Sequence, residues 1–101
     1  MYNIIISELA TITTELYLDF IKAFDYNYSL KIAENINKNI KNLNIFPHSH
    51  PVYKRTNINI YRKLLINGVI NIIFTVAQNN IVVLYATDAR KGVDEYYTYL
   101  K

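Results

Sequence analysis

The chemistry-bearing side chains of this chain gather late in it. Residues 54–101 hold seven Lys or Arg against three acids, net +4, whereas residues 1–53 hold four Lys against five acids, net −1. The cations are Lys54, Arg55, Arg62, Lys63, Arg90, Lys91 and Lys101. A basic surface of this kind suits a phosphate backbone or an acidic protein partner. Three tyrosines, Tyr96, Tyr97 and Tyr99, follow the last strong apolar run and either seal a core edge or present a ring to a ligand. His48 and His50 form an H-x-H pair, which supplies two metal ligands only where further ligands converge. The chain has no cysteine, and no acid lies near the pair unless Asp88 folds back. No metal site, cofactor, disulfide or thiolate nucleophile is therefore expected, and the pair reads as loop histidines.

The element that must position these groups is Ile60 to Lys91. Three apolar runs rich in Val, Ile, Phe and Tyr are split by Asn67-Gly68 and Asn79-Asn80. Asn-Gly is the strongest short hairpin signal, because a type I′ turn needs positive φ at both central residues. The stretch reads as a three-stranded antiparallel meander. Pairing Ile66 with Val69 and Gln78 with Ile81 sorts the side chains by period two. One face then carries Tyr61, Leu65, Ile70, Ile72, Phe74, Val76, Val83 and Tyr85, and is expected to be the core. The other carries Arg62, Leu64, Asn71, Ile73, Thr75, Leu84, Ala86 and Asp88, and is expected to be open.

A chain of 101 residues, about half of them hydrophobic and 19% charged, is read as a single globular domain, 1–101. Tyr2 to Glu8 reads as a strand. Leu9 to about Asp25 has a helical period in Ile12, Leu16, Phe20 and Phe24, which are expected to be buried. Ser29 is the expected N-cap of a second helix running to about Leu43, with Ile32, Ile36, Ile40 and Leu43 on its apolar face. Pro47 and Pro51 end the helical hairpin, and residues 45–59 read as the longest irregular stretch. Residues 94–100 read as a short helix or an extended tail. The first ten residues lack a basic leader and a long apolar region, and no run approaches a membrane span. A cytoplasmic location without membrane association is expected. The class is α+β: strand, helical hairpin, antiparallel meander, short C-terminal element.

This order resembles the RelE/ParE superfamily of type II toxins, with Leu43–Pro47 as L-x-x-F-P, then YRKLLI, a turn, NIIFTV, a turn, and IVVLYATDAR. The resemblance covers nearly the whole chain. For the RelE-like branch it implies a ribosome-dependent, metal-independent mRNA endonuclease that inhibits translation. Arg62, Arg90, Lys91 and Tyr97 then match the catalytic positions, with Tyr96 as an alternative to Tyr97. Lys54, Arg55, Arg62, Asn71, Arg90 and Lys91 match an RNA-binding surface. The chain departs from the pattern at Leu64 and Asn71, where cations are expected. Asn can hydrogen-bond but carries no charge. For the ParE-like branch the resemblance implies a DNA gyrase inhibitor that is no enzyme. An inactive binding module is a third outcome. In either active branch the implied partner is a small acidic antitoxin. Its expected footprint is Arg62, Leu64, Ile73, Leu84 and Ala86, on the open face.

Overall fold

The computed structural model describes residues 1–91 and 94–101. It contains β1 (Asn3–Ile6), α1 (Glu8–Lys22), α2 (Tyr26–Asn42), β2 (Val52–Arg55), β3 (Ile60–Ile66), β4 (Ile70–Ala77) and β5 (Asn80–Asp88). Single turns of 3-10 helix lie at Pro47–Ser49 and Tyr97–Tyr99. The five strands form one sheet in the order β1-β5-β4-β3-β2. β1 lies parallel to β5, and every other pairing is antiparallel. The meander is as expected. β2 was hidden in the stretch read as irregular, because it is only four residues long and bulges between Val52 and Lys54. Among the described residues, no helix is long and apolar enough to cross a membrane.

The first turn forms where the sequence places it and the second one residue earlier, and neither register follows. Asn67 and Gly68 both take positive φ, 51° and 70°, as a type I′ turn requires. The Val69 N–H donates to the Ile66 carbonyl at 3.0 Å, yet β3 pairs Ile66 with Ile70 and leaves Val69 as an extra residue. The second turn centres on Gln78 and Asn79, with Gln78 at φ 56°, so Ala77 pairs with Asn80. A bulge at Leu84 then shifts β5 once more, because Phe74 faces Val83 while Ile73 faces Tyr85. Each one-residue slip exchanges the faces beyond it.

The two faces are consequently a mixture of the expected sets. Leu64, Ile66, Ile70, Ile72, Phe74, Ile81, Val83 and Ala86 lie under the helices in the main core. Tyr61, Ile73 and Tyr85 form a smaller cluster on the other face, with Tyr53, Leu84, Tyr96 and Leu100 packed on it. Leu64 and Ala86, expected on the open face, are buried beneath the helices. Tyr61 and Tyr85, expected in the core, are on the face away from them.

The helices also depart from expectation in two respects. Asp25, rather than Ser29, caps α2 by accepting from the Tyr28 N–H at 3.0 Å. Ser29 is buried and donates to the Leu18 carbonyl at 3.0 Å, joining the two helices. Ile32, Ile36, Ile40 and Leu43 of α2 and its C-cap are buried as expected. The α1 stripe is not: Ile12, Leu16, Phe20 and Phe24 are 45, 63, 58 and 77% exposed. α1 instead turns Ala10, Thr13, Tyr17 and Ile21 inward.

Hydrogen bonds hold α1 in that rotation. At the β5 bulge, the Ser7 hydroxyl donates to the Leu84 carbonyl at 2.7 Å, and the Thr13 hydroxyl accepts from the Ala86 N–H at 2.8 Å. Both backbone groups lie beside the ladder irregularity and need partners when buried. Ser7 also N-caps α1 through the Ala10 N–H at 3.0 Å. Two small hydroxyl side chains thus fix which face of α1 meets the sheet.

Candidate functional site

The face away from the helices is organised by one carboxylate. The Tyr53 hydroxyl donates to Asp94 Oδ2 at 2.7 Å, and the Tyr85 hydroxyl donates to the same oxygen. The other oxygen accepts from the Tyr96 N–H at 2.9 Å. Burial first, then the hydrogen bond to Asp94 and its charge, push the Tyr53 and Tyr85 hydroxyls well above the ordinary tyrosine range. Edge-to-face pairs Tyr85–Tyr96 and Tyr53–Tyr97, at 5.0 and 5.4 Å between centroids, continue the cluster.

Residues 94–101 lie across this cluster as a strap. Lys54 Nζ donates to the Tyr97 and Leu100 carbonyls at 2.7 and 3.1 Å and sits 4.6 Å from the Tyr97 ring centroid. The Tyr61 hydroxyl donates to the Lys101 carbonyl and accepts from the Lys101 N–H at 3.1 Å. The C-terminal element is therefore a tail with a single 3-10 turn, and its tyrosines both seal a core edge and leave ring surface exposed.

Arg62 is elsewhere. It shares the strand parity of Leu64 and donates to the His50 carbonyl at 2.8 Å. The His50 ring stands edge-on to Phe74 at 5.6 Å. Burial, and then the Arg62 charge, hold its imidazole below the ordinary histidine range. A depression of about 210 Å³ beside it is lined by His48, Asn59, Arg62 and Val76. Among the described residues, no group of three His, Cys, Asp or Glu could hold a metal ion.

Arg90 occupies a third place. It pairs with Asp88 through Nε at 3.1 Å and Nη2 at 3.3 Å. The hydrogen bond from Arg90 holds the Asp88 carboxyl below the usual carboxylate range. With Lys91 and the exposed α1 residues Leu16 and Phe20, the pair lines a depression of about 280 Å³.

The positions matched to catalysis therefore lie in three places. Lys54 and Tyr97 do meet, where the strap crosses β2. Arg62 meets neither of them, nor Arg90 and Lys91. Asn71 is buried on the face opposite Arg62, and its Oδ1 has no partner among the described residues. Arg55 is exposed at the end of β2. The expected antitoxin footprint is likewise no continuous surface, since Leu64, Ile73 and Ala86 are only 6, 0 and 2% exposed and lie on different faces. Sequence reading missed Tyr53, Tyr85 and Asp94. Their signal was present as tyrosines in two strands and an acid just after the last, but only the correct register puts them together.

No protein-family model matches the chain, and neither does any curated protein sequence. A search of solved structures finds a chain described as "Chromosomal ParDE TA system from P. aeruginosa". The TM-score is 0.75 at 15% identity, over 89% of this chain and 98% of that one. At that identity the likeness is one of fold, and it agrees with the strand–hairpin–meander order read from the sequence. The chain has the RelE/ParE-like α+β fold.

Proposed function

We propose that the chain is the toxin of a type II toxin–antitoxin system and that it acts by gripping a protein target rather than by cutting RNA. The fold likeness to a ParDE chain supports the first part. The observation that carries the second is the separation of Arg62, Arg90 and Tyr97 into three places. Cleaving RNA through its 2′-OH needs a proton acceptor, a proton donor and a cation around one phosphate, each within about 2.6–3.2 Å of its atom. Arg62 faces the helix side of the sheet, Tyr97 the opposite side, and Arg90 is engaged with Asp88. A ParE-like action, with DNA gyrase as the target and a small acidic antitoxin as the silencing partner, makes no such demand.

Inducible expression in a bacterial host tests the proposal. A DNA-damage response with arrested replication is the expected result. Rapid arrest of translation with cleaved mRNA refutes it and favours a RelE-like endonuclease. One observation favours that second reading: Lys54 and Tyr97, both matched to nuclease positions, are in contact beside the Tyr53–Asp94–Tyr85 cluster. On that reading Tyr97→Phe abolishes mRNA cleavage.

A further inference from the structure

Gripping a protein target leaves Arg62 without a task, yet its surroundings hold it in one orientation. It is half-buried and pairs with no carboxylate among the described residues. Nη1 donates to the His50 carbonyl at 2.8 Å, while Nε and Nη2 have no protein partner among the described residues. The anchor is itself fixed. The next carbonyl, that of Pro51, accepts from the Lys63 N–H at 3.0 Å, and the His50 ring stands edge-on to Phe74. A guanidinium pinned on one side and free on the other is pre-oriented for the two oxygens of a carboxylate.

The depression beside Arg62 ends at His48, and His48 also lines a second one, of about 340 Å³, with Tyr2, Phe46, Pro47 and Ser49. The His48 ring is exposed and meets Tyr2 edge-on at 6.3 Å between centroids. One imidazole thus stands between a cationic end and an aromatic end. Phe46 sits at φ 53°, a left-handed backbone that a bulky residue rarely adopts. Its ring is 77% exposed, and the Ser49 hydroxyl and N–H hold the turn by donating to its carbonyl at 2.7 and 3.0 Å. Strain of this kind gathers where a ligand is clamped. Charge and size then select the occupant. Among the described residues Arg62 is the one Lys or Arg lining either depression. It matches the single charge of a carboxylate, not the roughly −1.5 to −2 of a phosphate monoester at neutral pH. The Asn59 amide nitrogen is already engaged, by the Tyr61 hydroxyl and the Lys101 carbonyl at 3.1 and 2.6 Å. The two volumes suit a small molecule.

We propose that these adjoining depressions bind a small aromatic monocarboxylic acid, with its carboxylate on the free side of Arg62 and its ring beside His48, Tyr2 and Phe46. The site lies at the end of the sheet crossed by residues 44–51, on the face away from the tail. It stands whichever target the chain grips.

The test titrates the whole chain, followed by NMR, with four probes: 3-phenylpropionate, its uncharged amide, acetate and phenyl phosphate. The aromatic acid is expected to saturate, to shift the Arg62 Nε and His48 ring signals, and to bind at least about tenfold more tightly than the amide, which cannot accept a charged fork. Acetate, without a ring, and phenyl phosphate, with a second charge, should both bind more weakly than the acid. Arg62→Gln should erase the preference for acid over amide. Phe46→Gly should weaken the acid severalfold while thermal unfolding stays the same or moves higher, because glycine accepts φ 53° without strain. Equal binding of acid and amide to the unaltered chain overturns the proposal, as does failure of the acid to saturate below about 10 mM. Tighter binding of phenyl phosphate overturns it in favour of a phosphate site. Shifts confined to residues other than Arg62, His48, Tyr2 and Phe46 overturn the location.

Discussion

Raising the pH tests the buried tyrosine cluster without changing a single residue. Tyr53 and Tyr85 both donate to Asp94, and both hydroxyls are held above the ordinary tyrosine pKa by burial and by that carboxylate. In the unfolded chain each loses its proton near pH 10. Between that pH and the folded-state pKa, the unfolded chain binds fewer protons than the folded one, so stability falls as pH rises. Below about pH 9 the two tyrosines contribute no slope. Above pH 10 each contributes about 1.4 kcal/mol per pH unit, roughly 2.7 together. By about pH 11.5 the two together remove about 4 kcal/mol, a large share of the about 5–15 kcal/mol that holds a domain of this size. Urea unfolding followed by far-ultraviolet circular dichroism, repeated from pH 8 to about pH 11.5, measures the slope. Tyr85→Phe should lower stability at pH 8 by about 1.5–3 kcal/mol, the worth of a hydrogen bond to a charged group. It should also cut the alkaline slope by about half. Equal alkaline slopes in the wild type and in the Tyr53→Phe, Tyr85→Phe double variant refute the reasoning.

Thr13→Val removes the acceptor for the buried Ala86 N–H and should cost about 1–3 kcal/mol in chemical denaturation. Phe20→Ser should leave stability within about 0.5 kcal/mol, whereas Ile32→Ala in the core should cost about 2–5 kcal/mol. Asn71→Leu replaces a buried amide whose Oδ1 lacks a partner among the described residues, and should leave stability unchanged or raise it by about 1 kcal/mol in thermal unfolding.

The strands β3, β4 and β5 were legible because Asn67-Gly68 and long β-branched runs are local signals. So was the inward stripe of α2, where Ile32, Ile36 and Ile40 had no competing face. The faces of the meander were not legible, because Val69 and Leu84 are extra residues whose presence depends on pairing, and nothing in their side chains announces it. The helix period of Ile12, Leu16, Phe20 and Phe24 was real, but periodicity reports an apolar face and not what covers it. Which face turned inward was decided by the hydroxyls of Ser7 and Thr13, which satisfy the β5 bulge. The candidate site suffered the same way. Arg62, Asn71 and Asp88 looked like one face only under the unshifted register, and the Asp94 hub needs contacts from β2, β5 and the tail at once.

The proposed grip on a protein target, in place of RNA cleavage, has a direct test. The most direct measurement is supercoiling of relaxed plasmid by purified DNA gyrase with increasing amounts of the purified chain. Inhibition that persists in Arg62→Ala and Tyr97→Phe variants is the expected result. Unimpaired supercoiling, with mRNA cut in a ribosome reaction at the same concentration and spared by Tyr97→Phe, contradicts it.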